Sequence, residues 1–359
     1  TSDAEIFKEA GVTGFEDPKY DRYSERLKQL RGIKDYMYRT EVLEREKSYE
    51  EVTEIFVRVN SLGAKLRGSD LALAQITARW KGSLSLFTEY QTRVRDLGFD
   101  LDLGAHLRAL IATITGQSKF LTVGSLSKGQ LEIGWERTQR VFDFAVDFAI
   151  KNLNINSRAL LSSPLFLITT ASWADRRDLK IDSNEAAAFR TWFLIANAKG
   201  RYSRGSSESL LDQDLAILRN GGGAAELRQR LEQQFGRLDF LPTDLLGRNT
   251  QSGIFKAMFL MFQRNGAEDW ATSLQISPKH ANSADRIEFH HIFPRAFLKR
   301  ERKDLQDSEI NDLANYAFIG SATNKQISAK SPQSYRSDYP EARLTAQLVN
   351  FDAWGDGPG

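Results

Sequence analysis

The chain has 359 residues, enough for two or three domains with a sizeable core, and its 41% apolar and 27% charged content excludes a disordered or fibrous class. Lys and Arg number 49 against 47 Asp and Glu, a net +2 that excludes a global field driving the protein onto polyanions, so any nucleic-acid affinity must come from a local patch. Cysteine is absent, which excludes disulfides, thiolate metal sites, iron–sulfur clusters and cysteine nucleophiles, and suits a reducing, cytoplasmic setting. The longest apolar runs, Trp192 to Ala196 and Met258 to Phe262, are far shorter than the roughly 18 residues of a membrane span, so no membrane partner is expected. No signal-peptide pattern opens the chain, and its start at Thr1 without Met suggests a fragment or processed product.

Helical periodicity dominates. Ser48 and Glu51 form a capping box, followed by Val52, Ile55, Phe56 and Val59 on one face and a turn signal at Asn60 to Gly63. Ser69-Asp70 opens a helix carrying Leu71, Leu73, Ala74, Ile76 and Trp80. A further helix is expected at Leu103 to Ile114, and Val141 to Ile150 reads as another. Asp182 and Glu185 cap an apolar helix that ends before Gly200, and Ser252 starts one that ends by Gly266. The aromatic and Met stripes on these helices read as core packing. Flexible breaks are expected at Asn220 to Gly223 and from Leu241-Pro242 to Asn249, and a frayed tail at Gly355 to Gly359.

The pattern changes after Ile276-Ser277-Pro278. Ile287 to Phe293 reads as a short strand closed by Pro294, Asn315 to Ile319 as a second strand ended by Gly320, and Ser321 to Lys330 as a short helix. The chain has four histidines, His106, His280, His290 and His291, and the last two sit together in the first of these strands. Imidazole serves both proton transfer near neutral pH and metal ligation, so a neighbouring pair could divide the two tasks. Asn315 and Asn324 add carbonyl oxygens suited to hard divalent cations. Between Arg286 and Arg336 there are nine basic and six acidic residues, a local +3. A metal, a general base and a cationic surface together describe phosphodiester hydrolysis. The bland alternative is a solvated charge run beside an ordinary histidine pair; for His106 and His280 that reading is preferred, with His106 packed or at the surface of its helix.

In order and spacing, His290-His291-Ile292-x-Pro294, Asn315 and Asn324 resemble the HNH (ββα-metal) motif at the C-terminus of GmrSD-type modification-dependent restriction endonucleases and their SspE-like relatives. The resemblance implies that His290 and Asn324 hold the metal, that His291 is the general base and that Asn315 braces the loop in the catalytic set. Arg295, Lys299, Lys325, Lys330 and Arg336 are phosphate-contact candidates by position and charge. Ile55 to Leu66 with Ser69-Asp70-Leu71 resembles a segment of the ParB-like N-terminal domain in the same family. Gly200-Arg201-Tyr202-Ser203 with Glu208, Leu211 and Asp214-Leu215 resembles a stretch of its helical middle. Arg58 and Asn60 would then belong to a nucleotide pocket, although a helix C-cap is an equal reading of Asn60 and Gly63. The DGQQR motif of that N-terminal domain is absent from this sequence.

The resulting expectation is a mainly α protein. It comprises a C-terminal remnant of a ParB-like α/β domain over 1–78, a helical middle over 79–245 and a ββα-metal nuclease unit over 246–359. The resemblance implies a DNA endonuclease of anti-phage restriction using Mg²⁺, with Mn²⁺ or Ni²⁺ as substitutes, and a nucleotide only in a missing upstream domain of the same polypeptide. RNA as substrate, homo-oligomerisation and a non-catalytic DNA-binding or assembly role stay open. One tension is built in: successive side chains on a regular strand point to opposite faces, so His290 and His291 share a site only if the strand bends or the ligand approaches its edge.

Overall fold

The computed structural model describes residues 2–37, 40, 42–44, 47, 51, 55, 67–278 and 286–350. The Ser48 box, Arg58, Asn60, His280 and the tail from Gly355 lie outside the described residues. The chain divides into two compact units, Thr1–Ala64 and Lys65–Gly359. In the first, helices α1 (Asp3–Glu9) and α2 (Tyr20–Gly32) bury no residue fully, and Arg31 pairs with Asp3. The described residues of this unit contain no strand.

The second unit is mainly helical. It runs through α3 (Gly68–Arg79), α4 (Ser83–Asp96), α5 (Leu103–Thr115), α6 (Lys128–Leu153), α7 (Leu165–Asp175), α8 (Ser183–Lys199), α9 (Ser207–Arg219), α10 (Ala224–Phe235) and α11 (Gly253–Arg264). The ends follow from local chemistry. Asp182 accepts hydrogen bonds from the amides of Asn184 and Glu185, and Gly200 closes α8 with a left-handed φ of 71°. Ser252 caps α11 through the Phe255 amide. The stretch Asn220 to Gly223 forms an ordered turn between α9 and α10 rather than a loose break, because the Gly221 and Gly222 amides return to the carbonyls of Leu218 and Ile217. Among the described residues no helix is long and apolar enough to cross a membrane.

The core of this unit is aromatic. Trp173 of α7 stacks on Phe189 of α8 with centroids 3.9 Å apart, and Phe148 and Trp192 pack around them. His106 belongs here too, edge-on to Tyr90 and tilted against Phe142, with neither ring nitrogen hydrogen-bonded. Arg201 and Asp214 form a fully buried ion pair at 2.7 Å; Tyr202 donates to the same carboxylate and Gln234 accepts from Arg201. Burial pushes the Asp214 carboxyl up against the pull of Arg201. The Arg-Tyr and Asp-Leu stretches singled out in the sequence therefore meet as one internal lock.

Helix α11 links this core to the C-terminal part. Gly253 lies so close to the end of α8 that a Cβ would sit 2.2 Å from the Asn197 carbonyl oxygen, so only glycine fits. Strands β1 (Ile287–His291) and β2 (Tyr316–Gly320) form an antiparallel two-stranded sheet near the C-terminus. Between them come α12 (Arg295–Glu301) and α13 (Asp307–Ile310); after them come α14 (Ser321–Ile327), α15 (Pro332–Tyr335) and α16 (Glu341–Thr345). An isolated hairpin is marginal in water, and this one is stabilised by burial on both faces. One face sets Phe318 against Phe255, Phe259 and Phe262 of α11; the other sets Ala317 and Ile319 in a second cluster with Trp270, Ile327 and Tyr335. The outer edge of β2 is closed by a side chain: Gln347 accepts from the Phe318 amide at 2.7 Å and donates to the Phe318 carbonyl at 2.9 Å.

Two outcomes test this account. Arg201→Met leaves a buried carboxylate unpaired and is expected to cost about 3–5 kcal/mol in urea unfolding. Burial holds the His106 imidazole down at about 4, from an ordinary 6.5. The unfolded chain therefore takes up this proton first as pH falls from 6.5 toward 4, and stability is lost across that window. His106→Leu should remove that share of the acid loss, on the order of 3 kcal/mol by pH 4, read as a flatter stability–pH curve.

Candidate metal and general-base site

The ladder through the histidine pair is regular: Glu288 faces Ile319, Phe289 faces Phe318, His290 faces Ala317 and His291 faces Tyr316. No bulge turns the strand, so the imidazoles diverge. His290 points with Glu288 and Ile292 toward Trp270 and Tyr335, whose ring centroids lie 5.4 and 5.9 Å from its own, and the small Ala317 opposite leaves room for it. His291 points with Phe289 to the other face, 4.6 Å from the Tyr316 ring.

On the first face His290, Asn324 and Glu288 form a chain. Asn324 Nδ2 donates to Glu288 Oε2 at 2.6 Å, which fixes its Oδ1 as the acceptor for His290 Nδ1, 2.8 Å away. His290 thus carries its proton on Nδ1, and its Nε2 is buried with no hydrogen-bond partner. Burial drives this imidazole down to about 4, only partly opposed by the Asn324 bond, so it is neutral at physiological pH. The Asn324 amide, outweighing partial burial, holds the Glu288 carboxyl below its ordinary range, with Ser321, Lys325 and Arg286 assisting. Sequence reasoning missed Glu288, although its i, i+2 relation to His290 on a strand places both on one face.

On the second face Asn311 Nδ2 donates to the Asp307 carbonyl at 2.7 Å, leaving Oδ1 to accept from His291 Nε2 at 2.9 Å. That tautomer leaves Nδ1 as the basic nitrogen. The ring is partly exposed, and burial, against the Asn311 bond, lowers its affinity for a proton. Asn315 spends its whole amide on backbone: Oδ1 accepts from Phe293 N at 2.8 Å, while Nδ2 donates to the carbonyls of Phe293 at 3.2 Å and Ile310 at 3.0 Å. It braces the end of β1 and touches neither imidazole.

The basic candidates are less bare than their sequence suggests. Arg295 and Lys299 both bind Asp307, at 2.9 and 3.0 Å, Arg300 pairs with Glu301, and Arg302 with Asp304. Much of the run after the histidines is therefore drawn into surface ion pairs, Arg295 and Lys299 sharing a carboxylate from the next helix. Lys325 and Lys330 are exposed on and just after α14, and Arg336 lies beyond α15.

The α14 end of the site hangs on Asp269. This buried carboxylate accepts from Gly320 N at 2.6 Å and Thr323 Oγ1 at 2.8 Å, and from Thr272 N at 2.8 Å in its own loop. Burial alone would raise its carboxyl; the amides and hydroxyls outweigh that and hold it low. Among the described residues no three His, Asp or Glu side chains meet as a metal site. The candidate donor set is His290, Glu288 and the Asn324 carbonyl oxygen. One imidazole nitrogen and two oxygens suit a hard divalent cation, and the unpartnered His290 Nε2 offers a place for the ring proton once Nδ1 gives it up.

The chain is similar to the uncharacterized protein MJ0686 of Methanocaldococcus jannaschii, 23% identical over 327 residues that cover 85% of this chain and 52% of that protein. It thus spans about half the length of the relative it matches. No protein-family model and no solved structure matches the chain.

Asp269→Ala would leave several donors unsatisfied and is expected to lower stability by about 3 kcal/mol. In the same protein, loss of the slow amide exchange of Gly320 and of the first turn of α14 would check that the carboxylate holds this end of the site.

Proposed function

We propose that this chain is a divalent-metal-dependent phosphodiesterase of the HNH type acting on DNA, as part of a restriction system against modified or foreign DNA. The observation that carries the reading is the pair of oppositely directed, amide-fixed imidazoles. His290 is held neutral beside two oxygen donors, and His291 presents a free Nδ1 at a partly exposed position. The division of the chain into a ParB-like remnant over 1–78, a helical middle and a nuclease unit over 246–359 belongs to the same proposal, as does a cytoplasmic location.

A divalent cation held by His290, Glu288 and Asn324 would supply charge stabilisation at the phosphoryl oxygens and the leaving oxygen. Ligation through Nδ1 would use the Nε2–H tautomer of His290, while Glu288 would keep the Asn324 carbonyl aimed at the same point. His291 Nδ1 takes the proton of an attacking water, and Asn311 steadies the Nε2–H that remains. Because the two rings leave β1 on opposite faces, the phosphodiester lies across the strand's outer edge, where no other described strand pairs. Asn315 and Asp269 act as positioning residues, one for each end of the site. Lys325, whose charge acts on Glu288, and the exposed Lys330 would meet backbone phosphates, contacts that position a strand without reading its bases.

Supercoiled-plasmid nicking with Mg²⁺, Mn²⁺ or EDTA tests the reading. His291→Ala should lose roughly 10²–10⁴ in rate with an unchanged melting temperature, and Asn324→Ala should raise the metal concentration needed for half-maximal rate. Equal nicking by His291→Ala, or DNA binding indifferent to EDTA with no nicking by the parent, would overturn it.

A further inference from the structure

Between α11, the 3-10 turn Arg158–Leu160 and β1 lies a cavity of about 540 Å³ on the face of the strand that carries His291. Its wall holds two cations that converge on one atom: Arg158 Nη1 and Lys256 Nζ each donate to the Leu161 carbonyl oxygen at 2.7 Å. Neither has a carboxylate partner among the described residues. Burial, and secondarily the charge of Arg158, bring the Lys256 amine down to about 8. Beside them Ser162 Oγ is buried with no hydrogen-bond partner. The same cavity has an aromatic lining: Phe289 is 46% exposed and stands edge-on to Phe255 at 4.8 Å. Positive charge without counter-charge, an idle hydroxyl and an available ring are the complement of a phosphate joined to a planar base.

The strand sets the distance to the reaction. Phe289 and His291 project from the same face of β1 two residues apart, about 7 Å along the chain, a span that one nucleotide covers. We propose that this cavity receives the nucleotide next to the scissile phosphodiester, its phosphate on Arg158, Lys256 and Ser162 and its base on Phe289. The proposal rests on the nuclease reading for its choice of substrate strand. A phenyl face offers no hydrogen bond to a base edge, so stacking on Phe289 does not discriminate among bases and selects a strand whose nucleotide has left the stack.

Fluorescence anisotropy of a labelled single-stranded dT octamer in EDTA, with unlabelled dTMP and thymidine as competitors, tests this. Lys256→Met and Phe289→Ala should each weaken octamer binding about tenfold, Lys256→Arg should retain it, and dTMP should compete better than thymidine. Arg158→Gln is the second cationic variant should Lys256→Met lower the melting temperature. Octamer affinity unchanged in these variants overturns the proposal. So does dTMP binding that leaves the octamer in place, since the cavity would then serve free nucleotides. Adding Mg²⁺ separates the two readings. Binding that depends on Lys256 and Phe289 without hydrolysis supports the nucleotide site and overturns the nuclease. Hydrolysis with cavity-independent binding does the reverse.

Discussion

The Asp269 carboxylate is the constraint on which the C-terminal part depends. It sits in the loop after α11, buried, and answers the backbone amide at the end of β2 and a hydroxyl on the first turn of α14. A negative group at a helix N-terminus is favoured by the unpaired amides there, and this one also anchors the helix in space. Asn324 follows Thr323 on that turn, so the reach of its amide to His290 and Glu288 is set by a residue more than fifty positions earlier. Without that tie, two short strands and a seven-residue helix would have little to fix their mutual geometry.

The sheet itself is minimal, and its stability comes from what covers it. Alternation along β2 sends Phe318 into the aromatic face of α11 and Ala317 and Ile319 into the Trp270–Tyr335 cluster. The same alternation along β1 sends the two histidines apart. The two imidazoles are thereby placed on opposite sides of one backbone, each aligned by a different asparagine. Each asparagine is itself oriented by a bond at its amide nitrogen, to Glu288 in one case and to the Asp307 carbonyl in the other.

Much of this was legible in the residues, for local reasons. Helix ends declared themselves through Asp182, Ser252 and Gly200, because caps are made within a few residues of the terminus they serve. The divergence of His290 and His291 followed from strand geometry alone. Glu288 falls under the same rule, two residues before His290 and on its face of the strand. Asn311 and Asp269 carried no sequence signal, since their roles are tertiary and their partners lie at a distance in the chain. The basic run after His291 misled for the opposite reason: composition counts charges, whereas Arg295 and Lys299 share one aspartate that only folding brings to them. Likewise the Arg201 and Asp214 stretches resembled a family segment, yet their observed work is to neutralise one another inside the core.

The Gln347 side chain has a consequence of its own. By taking both the amide and the carbonyl of Phe318, it imitates a neighbouring strand for one residue and plugs that border of the ribbon with a group too short to extend the ladder. Exposed sheet margins are where chains add to one another and begin to aggregate. This ribbon is capped at Phe318 on one border, which favours strand addition at the other, the border beside the histidines.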